Sequence, residues 1–288
     1  MKKVLTFAFV VLSITVLLTF SAFAAESTST SVTMNGQATI NLAVMDDFSE
    51  TAADKVLNNG GLGTIEYIDG TLGKAIKIST DGNSGVANPQ YNCQYDPTPG
   101  TDPDNNDYVW QGYINKVSAD TKGFAFRVTA EGQTGFAFEP QFIISGGAVP
   151  FYLTATGDDM IVITADGVAT VATTQESPWG RTVVKLPENF DGWVIIPSGR
   201  LQGHATYNSP AFSTISGIWH TSFFVEQYVE SSIGTITVHD MYTIAEDIPE
   251  VPEVNEGPEP SGDVSVILYA AAALAAGGAF IALKKRRA

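Results

Sequence analysis

The sequence predicts an all-β exported domain, a sandwich of two antiparallel sheets, with a signal peptide before it and one membrane-spanning helix after it. Three observations carry this. Short runs of alternating apolar residues recur between Thr39 and Ile244, punctuated by Gly, Pro, Asn and Asp. No stretch of ten or more residues in that region has helical spacing. Both chain ends are apolar and flanked by basic residues, Lys2-Lys3 at the front and Lys284 to Arg287 at the back.

Residues 1–24 have a basic start, the apolar run Val4 to Phe20 and the small-residue site Ala22-Phe23-Ala24, the layout of a secretory signal cut after Ala24 or Ala25. Residues 25–38 are rich in Ser and Thr and read as a spacer. The domain runs over 39–245. Its strands are expected at Thr39–Phe48, Gly73–Ser79, Gly123–Thr129, Arg181–Leu186, Trp193–Pro197, Ile215–Gln227 and Ile233–Ile244. Met160 to Ile163 and Val168 to Val171 flank Asp166-Gly167, and Asp-Gly supplies the positive φ of a tight hairpin. Residues 246–263 hold seven acidic residues and four prolines and read as an extended, self-repelling linker. Val264 to Leu283 is uncharged over 20 residues. At about 1.5 Å per residue such a helix spans a bilayer core. The basic tail 284–288 then places the C-terminus in the cytoplasm.

The exported part holds all 31 acidic residues but only nine of the 15 basic ones, a formal charge of −22. Such a surface repels nucleic acid and suits neutral partners, cations and solubility. Cys93 is the only cysteine, so an internal disulfide is excluded and stability must come from apolar burial.

Three segments together resemble the carbohydrate-binding-module and galactose-binding-like jelly rolls of secreted clostridial surface proteins. They are Asp46-Asp47-Phe48-Ser49-Glu50, then Leu186-Pro187-Glu188-Asn189-Phe190-Asp191-Gly192-Trp193-Val194-Ile195-Ile196-Pro197, and the last strand with His239-Asp240-Met241-Tyr242. Tyr67 to Ile76 is also similar to the opening of laminin-G-like jelly rolls. The resemblance implies a jelly roll and a structural Ca²⁺ held between the first and last strands by Asp47 and Asp240, with Asp46 or Glu50 adding to them. Solvated strand ends are the alternative reading of the same acids. The tail resembles Gram-positive sorting signals, with Ser261-Gly262-Asp263 in place of Thr-Gly-Asp, which implies a sortase as partner. Pro258 and Glu259 depart from that family's Leu or Asn and Pro. A retained membrane anchor is the alternative.

Sugar binding needs flat aromatic faces beside carboxylates and amides. Tyr91, Tyr95, Tyr108 and Trp110 cluster with Asn92, Gln94 and Gln111, and Trp179 sits in the loop Ser177-Pro178-Trp179-Gly180. These form the expected ligand platform, with core packing as the competing role. Trp193 is assigned to the fold. Asp102 to Asp107 lacks the Gly and Glu of an EF-hand loop. The three His residues are scattered, and neither an HExxH, a GxSxG nor a Walker motif occurs. Glu139, Glu226 and Glu230 could pair as glycosidase carboxylates only if the fold sets them across a cleft. The sequence therefore points to a surface protein that binds a polysaccharide or wall glycan without catalysis. A structural or adhesive module with a protein partner, and a glycoside hydrolase or lyase, are the alternatives.

Overall fold

The computed structural model describes residues 29–49, 63–80, 90–95, 108–109, 116–132, 134–145, 147–154, 159–176, 180, 182–226 and 234–254, with side chains outside 90–95, 108–109, 220, 224 and 226. The expected signal peptide and membrane helix lie outside these residues.

The described chain is all-β. One sheet is built from β1 (Ser29–Met34), β2 (Ala38–Asp46), β3 (Gly63–Asp69), β4 (Lys74–Thr80), β7 (Gly123–Gly132), β11 (Ile161–Thr164), β12 (Ala169–Val171), β15 (Asp191–Pro197) and β18 (Gly234–Ile244). The other contains β5 (Gln90–Tyr95), β6 (Tyr108–Val109), β8 (Gly135–Phe138), β9 (Gln141–Ile144), β10 (Gly147–Leu153), β13 (Thr174–Glu176), β14 (Thr182–Lys185), β16 (Leu201–Gly203) and β17 (Gly217–Glu226). The first sheet runs β1-β2-β18-β7-β15-β11-β12, with β3 and β4 added beside β18. The second runs β13-β14-β8-β17-β9-β10-β16, with β5 and β6 beside β17. Pairing is antiparallel throughout except between β5 and β6.

Alternation along the strands explains the stacking of the sheets. Phe124, Phe126 and Val128 of β7 point to one face and meet Phe136, Phe138, Phe142 and Phe223 of the other sheet. Ring centroids of Phe126 lie 4.9 Å from Phe136 and 4.8 Å from Phe138. Most of the expected strands appear with nearly the same bounds, and the Asp166-Gly167 hairpin forms as expected, with Gly167 at φ 88°.

The opposite face of the first sheet is also apolar, which a simple sandwich would leave wet. Ala125, Ile161, Ile163, Ile195, Tyr242 and Ile244 lie there and form a second core with Ile40, Leu42, Val32 and Met34. The sheet buries this face by curling into a nearly closed barrel. Its two end hairpins meet at the seam, where Asn35 N donates to Gly167 O at 2.9 Å and Ala169 N donates to Asn35 Oδ1 at 2.9 Å.

Within the domain, β3, β8, β9, β10, β13 and β16 are strands beyond those expected, and two segments outside the expected domain bounds also differ from the sequence expectation. Ser29–Met34, read as spacer, is β1, because Val32 and Met34 supply two apolar side chains to the barrel interior. Residues 246–254, read as the start of a free linker, lie along the barrel as a strap. Ile248 and Val251 pack on the second core, Asn35 Nδ2 donates to Pro252 O at 2.7 Å, and Gln37 Nε2 donates to Glu253 O at 2.7 Å. The few apolar residues of this acidic stretch are the ones that fasten it. Gly123 gives the strap room, since a Cβ there would stand 2.8 Å from Ile248 Cδ1.

Candidate functional site

Three places combine polar side chains with exposure or unmet hydrogen bonding. The first is a groove of about 320 Å³ at the barrel seam, lined by Ser31, Thr33, Thr164, Asp166 and Trp193. Strand alternation in β15 sends Val194 and Ile196 to the Phe-rich core, so Trp193 and Ile195 face the barrel side. The Trp193 ring is half-buried, 5.2 Å from the Tyr242 ring, and the Arg127 guanidinium lies 5.9 Å from its centre. Arg127 is itself fixed by Asp191 and by Gly192 O at 3.0 Å. Asp166 accepts the Thr164 hydroxyl, and that bond holds its carboxyl below the usual carboxylate range, so it is ionised in the groove. Thr129 Oγ1 lies 3.1 Å from Nε2 of His239, whose pKa is lowered by burial and then by the Arg127 charge. An indole held by its neighbours, an ionised carboxylate and the hydroxyls of Ser31 and Thr33 make a surface suited to sugar C–H and O–H groups.

The second place is a cavity of about 560 Å³ between the strap and the barrel, lined by Lys122, Asp159, Ile161, Val171, Ile248 and Glu250 among others.

The third is the fork where β18 exchanges one neighbour for another. It pairs β4 through Val238 and β2 from Met241, and bulges fall at His239 on β18 and Met45 on β2. The backbone of Asp46 pairs with Met241 here, next to Asp240, and the Asp47 charge acts on Asp240. Asp46 Oδ1 accepts from Phe48 N at 2.8 Å and Asp47 Oδ1 from Ser49 N at 3.0 Å. Phe48 takes φ 57°, held there by the Tyr67 hydroxyl donating to its carbonyl at 2.5 Å. The Lys116 ammonium donates to Met45 O at 3.0 Å and Val44 O at 3.3 Å, and burial lowers its pKa against the opposing pull of Asp46 and Asp47. Asp240 is fully buried, and neither of its carboxylate oxygens has a hydrogen-bond partner. The Leu72 amide and the Tyr242 hydroxyl are close enough to influence it, yet neither reaches normal hydrogen-bond geometry. Burial, helped by the Asp47 charge, pushes the Asp240 carboxyl up to about 6. Two orphaned carboxylate oxygens beside a second carboxylate fit a hard cation such as Ca²⁺. Among the described residues no three His, Cys, Asp or Glu side chains converge, so backbone carbonyls would have to complete its shell.

Of the expected aromatic platform, the structure describes the backbone of three residues. Tyr91 and Tyr95 lie on β5 and Tyr108 on β6, two neighbouring strands beside β17 at one margin of the second sheet. Trp110, Trp179, Ser261, Gly262, Glu50 and Glu230 lie outside the described residues. The groove is hard to see in the sequence because β15 is apolar on both faces, and its Trp looks like core.

No family model matches the chain, and no curated protein does. Among solved structures, one from Bacteroides thetaiotaomicron VPI-5482 with a provisional sugar-binding description aligns at a TM-score of 0.35 and 13% identity, over 75% of this chain and 95% of that one. A likeness so distant carries no weight in assigning a function here.

Proposed function

We propose that this chain is a bacterial surface protein, exported and held at the membrane or cell wall by its apolar C-terminal segment. Its jelly-roll-type domain binds neutral carbohydrate without catalysis. The observation that carries the reading is Trp193 in the seam groove, with Asp166, Thr164, Thr33 and Ser31 beside it. An indole face takes the apolar side of a sugar ring, and the carboxylate and hydroxyls take its hydroxyl groups. The acidic surface disfavours anionic polymers. Export rests on the apolar ends of the sequence, with sortase transfer to the wall and a retained anchor as the two fates of the tail.

A glycan array probed with the full chain tests the reading. Binding to at least one neutral polysaccharide is expected. Trp193→Ala should weaken it by about tenfold or more, the loss of about 1.4 kcal/mol of ring contact. Retention on no glycan, or unaltered binding by Trp193→Ala, overturns it.

The same proposal includes a structural Ca²⁺ with Asp47 and Asp240 as side-chain ligands. The ion would supply positive charge to carboxylate oxygens of Asp240 that lack hydrogen-bond partners. Millimolar Ca²⁺ should raise the Tm and EDTA should lower it again, and Asp240→Ala should remove the response. An identical Tm in Ca²⁺ and EDTA excludes the ion.

A further inference from the structure

We propose that the cavity between the strap and the barrel is a second binding site, one that takes a primary ammonium group carried on an apolar chain. Its size, about 560 Å³, is in the range of small-molecule pockets. Its walls are apolar on both sides: Ile161, Val171 and Pro197 from the barrel, Ile248, Pro249 and Val251 from the strap. Val171 is 48% exposed, a large apolar side chain left open to solvent at this cavity. The charged residues largely cancel in pairs. Lys122 Nζ stands 3.2 Å from Asp247 Oδ1, and Arg200 Nε stands 3.0 Å from Asp159 Oδ1. Glu250 is the lining carboxylate left over, with no ion pair among the described residues, so the described lining, with Arg200 behind Asp159 counted, carries one excess negative charge beside apolar walls. One cation on a hydrocarbon stem complements that arrangement, and an anion of the same shape does not.

The site differs from the seam groove in place and in chemistry. Among the described residues no aromatic side chain lines it, and one side of it is the strap that leads on to the C-terminal segment. A ligand here bridges strap and barrel and therefore holds the strap down.

Two sources of this chemistry exist, a free alkylamine and a lysine side chain in a peptide. The test uses the full chain in nonionic detergent with ¹³C-labelled isoleucine methyls, titrated with pentylammonium, pentanoate, and the capped peptides Ala-Lys-Ala and Ala-norleucine-Ala. Saturable shifts at Ile161 and Ile248 are expected with pentylammonium, and at least tenfold weaker binding with pentanoate. Glu250→Gln should weaken pentylammonium about fivefold. Val171→Trp should fill the cavity and abolish the shifts while the Ile78 methyl, in the other core, keeps its position. Tighter binding of Ala-Lys-Ala than of the free amine assigns the ammonium to a peptide, the reverse order assigns it to a small amine, and both uphold the site. Pentanoate or the norleucine peptide binding as well as its cationic counterpart overturns the proposal. So does unchanged affinity in Glu250→Gln, or the lack of any saturable shift.

Discussion

Replacing Gly192 by alanine is expected to destabilise the domain by about 3 kcal/mol or more, among the larger effects of a single added methyl. Gly192 pairs with Thr164 where β15 lies against β11. A Cβ built there would stand 2.0 Å from Ile163 O and 2.8 Å from Phe190 Cζ. The first of these atoms is backbone, so no rotamer change relieves the clash, and β11 must move away from β15. That movement would disturb the barrel-side core through Ile163 and Ile195 together. Gly199 is the control. A Cβ at Gly199 would meet nothing within 4 Å, and its φ is not positive, so Gly199→Ala should be neutral or slightly stabilising, through reduced freedom of the unfolded chain. Urea denaturation of both variants measures the contrast, and equal midpoints would refute it.

Asp240→Asn is expected to stabilise the metal-free protein at neutral pH by up to about 3 kcal/mol, an effect that fades in acid. The carboxyl is pushed from 3.8 to about 6 in the folded chain, chiefly by burial. Below 3.8 it is protonated in both states and affects nothing. Between 3.8 and 6 the unfolded chain releases its proton while the folded chain keeps it, so stability falls as pH rises. Above 6 the whole penalty is present, about 1.4 kcal/mol for each tenfold difference in proton affinity between the folded and unfolded chain. The stability difference between the variant and the parent should therefore climb from near zero at about pH 3.5 to its maximum by about pH 7. Denaturation in EDTA across that range follows it. A difference that stays flat with pH would show that Asp240 is not held neutral by its surroundings. Bound Ca²⁺ would reverse the sign at neutral pH, because the ion stabilises the charged form.

How much of this is legible in the sequence varies by element. β7 can be read directly, because Phe124, Phe126 and Val128 alternate with Ala125, Arg127 and Thr129, and period-two alternation is local. The hairpin at Asp166-Gly167 is equally local. β1 is hidden, since Ser29 to Met34 offers only Val32 and Met34 as apolar residues and looks like a spacer until β2 lies beside it. The strap is hidden for a similar reason, its prolines and acids outweighing Ile248 and Val251. Of the candidate sites, the pairing of the first-strand acids with Asp240 comes from the family resemblance, and the fold does bring Asp47 and Asp240 to one fork.

The sequence by itself determined that the domain is built of strands, that the Phe-rich alternation makes a core, that the acidic excess disfavours anionic partners and that no disulfide forms within the chain. These follow from residue type and short-range periodicity, which need no knowledge of partners. Only the tertiary structure decided that the first sheet buries both faces, that it curls until Asn35 meets Gly167, and that Trp193 opens on the seam while Val194 faces the core. The physical reason is that burial of a strand's second face depends on what arrives from distant parts of the chain. Here it is the β1–β2 hairpin and the 246–254 strap, each more than a hundred residues from the hairpin at Gly167 or from the β7 face it covers.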